Sequence, residues 1–250
     1  MSIAVHARQN LLLAALPSGD FKRLLPHFSG INMGLGHVLY ESGEQLKCLY
    51  FPTTMIASLL YVTENGASTE LAVAGREGAV GIALFMGGNT TNSRAIVQSA
   101  GDAICLPAAM MENEFERGGP LQWLLLRYTQ ALIAQMTQTA VCNRHHTLEQ
   151  QLCRWLLISV DRLNSNKLRM TQQLIADMLG VRREGVTEAA GKLQAAGAIR
   201  YSRGEITIVD RSALEGYVCE CYGVVNKEYN RLLHDVRIPR ERNMHAARDV

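Results

Sequence analysis

Arg183, Glu184, Thr187 and Glu188 recur at intervals of one, three and four residues, the spacing that places side chains on one face of a helix. A guanidinium can donate a fork of hydrogen bonds to guanine, and a carboxylate can accept from the cytosine amine, so this face has base-reading chemistry. Arg182 adds a neighbouring cation. Gln172, Gln173 and Arg203 offer groups suited to phosphate oxygens. Elsewhere the chemistry is sparser. Cys219-Glu220-Cys221 admits a thiol switch or a metal site, but two further ligands are not evident, and buried structural thiols are the competing reading. His145-His146 reads as a helix end or hinge contact rather than a haem or zinc ligand. No spacing sets a nucleophile beside a base, so an enzyme is not expected.

The element that must carry the first group runs from Met170 to Val209. Thr171 suits an N-cap, and Ile175 and Leu179 fall four apart on one face. Gly180 can adopt the positive φ that ends a helix at low steric cost, with Val181 plugging the corner. A second helix follows, with Val186, Ala190 and Leu193 inward and the polar set outward, until Gly197 stops it. Ile199–Tyr201 and Ile206–Val209 read as strands joined by a turn over Ser202-Arg203-Gly204-Glu205. Helix, turn, helix and hairpin together predict a winged helix-turn-helix, whose second helix can enter a DNA major groove.

Upstream, Leu11, Leu12, Leu13 and Leu16 predict a helical lead-in over residues 8–28, broken at Pro17-Ser18-Gly19. Residues 30–106 alternate glycines with short apolar runs: 38–40, 49–51, 56–62, 71–73, 95–97 and 104–106. Such a pattern predicts a small antiparallel sandwich, roll or barrel. Residues 120–144 form the longest helical pattern and carry two apolar seams. Leu125, Tyr128 and Leu132 make one; Leu126, Ile133, Met136 and Ala140 make the other. A helix apolar on two sides must be covered twice, by the β-domain and by the same helix of a second subunit. The first seam is assigned to the dimer interface. A further helix is expected from Leu148 to Ser159, a linker over Asp161–Leu168, and another helix over Glu215–Leu233 with Tyr217, Tyr222, Val225, Tyr229 and Leu232 packing. Arg237 to Val250 reads as a loose end.

Composition bounds these readings. A chain of 250 residues, 48% hydrophobic and 19% charged, can build real cores and is not of disordered type. No apolar run approaches the roughly 20 residues of a membrane span, and the first 17 residues lack the basic region and cleavage site of a signal peptide. Six scattered cysteines fit reduced thiols in a cytoplasm. Charge is uneven: 8 basic against 10 acidic residues up to Asn143, and 17 against 13 from Arg144 onward. The mildly basic second half is compatible with nucleic acid.

The order of parts resembles the Crp/Fnr family of transcriptional regulators over residues 8–210. Gly180–Leu193 with its wing, and the glycine-punctuated Gly75–Val97, carry the resemblance. It implies an α+β fold: an N-terminal antiparallel β-roll of double-stranded β-helix or jelly-roll type (residues 1–118), a long dimerisation helix (119–145) and a C-terminal winged helix-turn-helix domain with a helical extension (146–250). It further implies a homodimer on a two-fold symmetric operator in double-stranded DNA, with RNA polymerase as a further partner. Arg183 and Glu184 match the family's Arg-Glu pair. Glu188 departs from it, standing where relatives usually carry a base-reading arginine, and can accept from cytosine or buttress Arg183. Arg182 replaces the usual Ser/Thr N-cap.

In the cassette that holds a cyclic nucleotide in such proteins, this chain departs further. Ala79 follows Gly78 where a ribose-binding glutamate is usual, Glu77 precedes that glycine, and the phosphate pair is inverted as Ser93-Arg94. Adjacent strand residues face opposite sides, so inversion changes which side chain meets the pocket. The expectation is a degenerate cassette, with Glu77, Gly78, Ala79, Ser93 and Arg94 as effector-pocket candidates and cyclic AMP not the effector. Iron–sulfur and haem cofactors are not supported, since the first cysteine is Cys48. The runner-up function is a ligand-responsive regulatory subunit acting through protein contacts.

Overall fold

The computed structural model describes residues 2–163 and 165–234. The loose end expected from Arg237 lies outside the described residues. Three short helices lead in: α1 (Ile3–Ala7), α2 (Leu11–Ala15) and α3 (Ser18–Leu24). Asn10 caps α2 through its side-chain oxygen while its amide donates to the carbonyls of Pro52 and Gly78, so one buried residue ends a turn and fixes the lead-in to the sheets. The break falls at Leu16-Pro17; Ser18 and Gly19 are already helical.

Seven strands follow: β1 (Ser29–Met33), β2 (Val38–Tyr40), β3 (Cys48–Pro52), β4 (Ile56–Val62), β5 (Ser68–Ala74), β6 (Arg94–Ser99) and β7 (Gly101–Pro107). They form two antiparallel sheets, ordered β1-β7-β3 and β2-β6-β4-β5, around one shared core. This is the expected roll. β1 escaped the sequence reading because Gly30 and Asn32 dilute its strand character; pairing with β7 along its whole length overrides that local preference. The β4 residues Ile56 to Leu60 are all buried without alternation, because the sheet is covered on both faces. Ile56, Ala57 and Leu59 pack in the roll, whereas Leu60 joins the core of the carboxyl-terminal half. Cys48 and Cys105 are joined by a disulfide between β3 and β7, which corrects the expectation that all six cysteines are free.

After α4 (Ala108–Arg117) comes the long helix α5 (Pro120–His145), with Pro120 in its first turn as expected. Its first seam is not a free surface. Leu125, Tyr128 and Leu132 are fully buried in the chain's own core, and the Tyr128 hydroxyl donates to the carbonyl of Ala79. The assignment of this seam to a subunit interface is therefore corrected: side chains already packed against the roll cannot also face a partner. Of the other seam, Met136 is half-buried against the same core, whereas Ala140 is exposed and Leu126 and Ile133 are 51% and 52% exposed.

The carboxyl-terminal half contains α6 (Leu148–Leu163), β8 (Lys167–Arg169), α7 (Gln172–Leu179), α8 (Arg183–Ala195), β9 (Ile199–Ser202), β10 (Glu205–Ile208), α9 (Arg211–Tyr217) and α10 (Glu220–Tyr229), with a final π-turn at Asn230–His234. Helix α6 outruns its expected end by a turn, and β8 lies in the stretch expected to be a linker, pairing with β10 to make a three-stranded β8-β10-β9 wing. The helix expected over Glu215–Leu233 is interrupted at Val218-Cys219. Tyr217 is exposed rather than packed, while Val225, Tyr229 and Leu232 are buried as expected. Helix α10 returns to lie along α5, and Arg127 of α5 donates to the carbonyls of Leu232 and Arg231.

Candidate nucleic-acid interface

Local rules build the face at α7 and α8. The Thr171 hydroxyl accepts from the Leu174 N–H and starts α7. Gly180 ends it at φ 67°, where a side chain would be strained and would collide with Thr69 of the roll. Val186, Ala189, Ala190 and Leu193 bury the inner face of α8 against α6 and α7. Its outer face is then committed to solvent: Arg182, Arg183, Glu184, Thr187 and Glu188 are all exposed. The wing turns through Arg203 (φ 50°) and Gly204 (φ 76°), a two-residue hairpin turn tighter than the four-residue one expected.

These parts enclose an open groove of about 680 Å³ between the start of α7, the outer face of α8 and the wing. Gln172, Gln173, Arg183, Thr187 and Arg203 line it together. The Thr187 hydroxyl donates to Gln172 Oε1 at 2.9 Å, tying α8 to α7, and Gln173 donates to Asp177 at 2.8 Å. Glu188 does not buttress Arg183; it pairs with Lys192 at 2.9 Å, and Lys192 also reaches Glu149. Among the described residues, Arg182, Arg183 and Arg203 have no ion-pair partner within 4 Å, and neither do the exposed Arg169 and Arg200 of the wing. Of these, Arg183 and Arg203 line the groove, and uncompensated guanidiniums there are what a phosphate backbone would neutralise.

Sequence reading missed Gln194 and Tyr201, which also line the groove. Gln194 Oε1 accepts from the Tyr201 N–H at 2.7 Å, and the Tyr201 hydroxyl donates to the carbonyl of Met170 at 2.8 Å, so the pair locks α8 to the wing and to the start of α7. Partial burial raises the Tyr201 pKa, with the nearby Arg183 charge acting against it. Carrying the helical period on from Arg183 through Thr187 and Gly191 would have reached Gln194.

The effector candidates have a different fate. The Glu77 carboxylate accepts from Arg162 at 2.5 Å and from the Gly75 N–H at 3.1 Å. Gly78 lies against the Tyr128 ring, leaving no room for a side chain, and Ala79 is fully buried. Ser93 contacts Thr91 at 3.0 Å, and Arg94 pairs with Glu41 at 3.1 Å. Tyr128 thus meets both Gly78 and Ala79, while Glu77, Ser93 and Arg94 are engaged by Arg162, Thr91 and Glu41. Cys219 and Cys221, in contrast, do have companions: Cys142 and His146 stand beside them.

Residues 150–217 match the family of Crp-like helix-turn-helix domains. Solved structures extend the likeness beyond that stretch. FixK2 from Bradyrhizobium japonicum aligns with a TM-score of 0.65 at 14% identity, covering 77% of this chain and 98% of its own. A CRP-family transcriptional regulator from Thermus thermophilus aligns at 0.62 and 18% identity, covering 75% and 95%. The c-di-GMP-responsive global regulator CLP of Xanthomonas campestris aligns at 0.63 and 15% identity, covering 78% and 100%. At these identities the likeness is one of fold, and the fold is that of Crp/Fnr-type regulators. No curated protein matches the chain by sequence. Among the described residues, no helix is long and apolar enough to cross a membrane.

Proposed function

We propose that this protein is a DNA-binding transcriptional regulator that acts as a homodimer on a two-fold symmetric site, with α8 in the major groove and the wing on the adjacent backbone. The observation that carries the reading is that Arg183 and Arg203, exposed and without ion partners, line the α7–α8–wing groove in the stretch that matches Crp-like domains. Arg183 and Glu184, in the first turn of α8, project where recognition helices meet base edges.

The surface of α5 supports the dimer. Leu126, Gln130, Ile133, Thr137, Ala140 and Arg144 are all exposed and follow one another at alternating steps of four and three. This is a coiled-coil seam with Leu126, Ile133 and Ala140 in one heptad position and polar residues in the other, where they set register. The Glu77–Arg162 pair and the Gly78–Tyr128 packing support an effector other than cyclic AMP, because Glu77 is spent on the fold and Gly78 leaves no room for a side chain.

Gel-shift competition with the full chain at two ionic strengths tests the reading. Binding should weaken steeply with salt as phosphate contacts release counterions. Absence of binding under all conditions, with the chain folded, would remove it.

A further inference from the structure

Three cysteines and a histidine from two distant stretches meet beside the turn between α5 and α6. Cys142 and His146 lie one helical turn apart at the end of α5, while Cys219 and Cys221 open α10. The three thiols are free and buried, and the four ligating atoms all lie within 4.8 Å of one another. Cys142 Sγ and Cys219 Sγ are 3.6 Å apart, and Cys221 Sγ is 3.4 Å from His146 Nδ1. The first separation is far beyond a disulfide bond of about 2.05 Å. It is instead the edge of a coordination tetrahedron. Zinc–sulfur bonds of about 2.3 Å and zinc–nitrogen bonds of about 2.0 Å place neighbouring sulfurs about 3.8 Å apart, and sulfur and nitrogen about 3.5 Å apart.

The surroundings fit the same chemistry. His146 Nε2 lies 3.3 Å from the Glu220 carboxylate, so its other nitrogen, Nδ1, is turned toward the thiols. A carboxylate behind a histidine is the usual outer support of a metal-bound imidazole. Gln138 donates to Cys221 Sγ at 3.0 Å, and the buried guanidinium of Arg154 is close enough to act on Cys142. Three thiolates around a divalent ion leave one negative charge, which that buried cation offsets. Three sulfurs and one nitrogen favour zinc over magnesium or calcium, which take oxygen ligands. Ligands this close suit a single ion, whereas an iron–sulfur cluster spreads its thiolates over several irons.

We propose that Cys142, His146, Cys219 and Cys221 bind one zinc ion in a closed structural site that clamps α10 to the end of the long helix, next to the turn that leads into the Crp-like domain. The companions of the Cys219–Cys221 pair are not legible in sequence, because Cys142 and His146 lie more than 70 residues upstream.

Metal analysis of the full chain, purified under reducing conditions and passed through gel filtration without added metal, should find one zinc per chain. Replacing the zinc with cobalt(II) should give the thiolate charge-transfer and intense d–d bands of a tetrahedral site. Cys219→Ser and Cys221→Ser should each abolish that spectrum. Glu220→Gln, which removes no ligand, should retain the site and weaken zinc by roughly 10–100-fold in chelator competition. A folded, reduced wild-type chain with substoichiometric zinc and no tetrahedral cobalt spectrum would overturn the proposal, as would metal binding indifferent to both cysteine substitutions. The measurement is made without DNA, so its failure leaves the regulator reading standing.

Discussion

The α8 face and the Gly75–Arg94 cassette are both polar stretches in which the sequence suggested ligand chemistry, and the fold treats them oppositely. On α8 the inner apolar residues use up the packing, and Arg182 and Arg183 are left exposed without ion partners. In the cassette Glu77 is drawn inward. Glu77 holds Arg162, Arg162 also donates to Gln135 of α5, and the Tyr229 hydroxyl of α10 donates to the same Gln135 oxygen. One buried network thus joins the roll, the long helix, α6 and the carboxyl-terminal extension. Burial there pushes the Tyr229 phenol up to about 12. What a site can offer an outside partner depends on which of its polar groups the fold has left unpaired. The first region has them to offer; the second has become part of the frame.

The largest effect should come from breaking the frame. Arg162→Ala leaves Glu77 buried without its cation, and loss of one member of a buried pair costs about 3–5 kcal/mol. Urea denaturation should show it, and an unchanged midpoint would mean that the cassette is not structural. Ile133→Glu should come next. It leaves the monomer fold intact, because the side chain is 52% exposed, yet places a charge in the proposed α5 seam, weakening association by roughly 1–3 kcal/mol per subunit. Sedimentation equilibrium reads that shift, and a dimer of undiminished strength would move the interface elsewhere.

Arg183→Ala sharpens the contrast from the other side. It should alter urea stability by no more than about 0.5 kcal/mol, as an exposed substitution does. It should cost on the order of 1–3 kcal/mol at a specific DNA site, with relaxed sequence preference. A loss equal on every sequence would assign Arg183 to phosphate instead.

A further effect concerns the contact between the two halves. Glu70 of β5 accepts from Ser58 at 2.5 Å and from the Trp155 indole of α6 at 3.0 Å. Burial raises its pKa from 4.5 to about 7, outweighing the opposing influence of these hydrogen bonds and of Arg154 and Arg162. A carboxyl raised in the folded state stabilises fully below its unfolded pKa, and the contribution is lost as pH climbs through about 7. Between pH 5 and pH 8 the wild type should therefore lose stability relative to Glu70→Gln. A constant difference between the two proteins across that range would rule the titration out.

Much of this was readable in the chain because it follows from local rules. Thr171, Gly180 and the 3.6-residue rhythm of Val186, Ala190 and Leu193 fixed the helix-turn-helix, and glycine-bounded apolar runs located most strands of the roll. What escaped depends on distant partners. Strand β8 exists because β10 lies beside it, and Lys167-Leu168-Arg169 carries no alternation long enough to announce a strand. The two seams of α5 are equally apolar in sequence, so only the position of Tyr128 under Ala79 decides which one is covered. Glu188 pairs with its i+4 neighbour Lys192, a contact that helical spacing alone makes legible.

Selection of bound sequences from random duplex DNA, carried out with the wild type and with Arg183→Ala, tests the central claim most directly. The wild type should enrich a two-fold symmetric site whose half-sites lie about one helical turn apart, and the variant should lose base preference within each half-site. Enrichment of no sequence at all by the wild type would contradict the account.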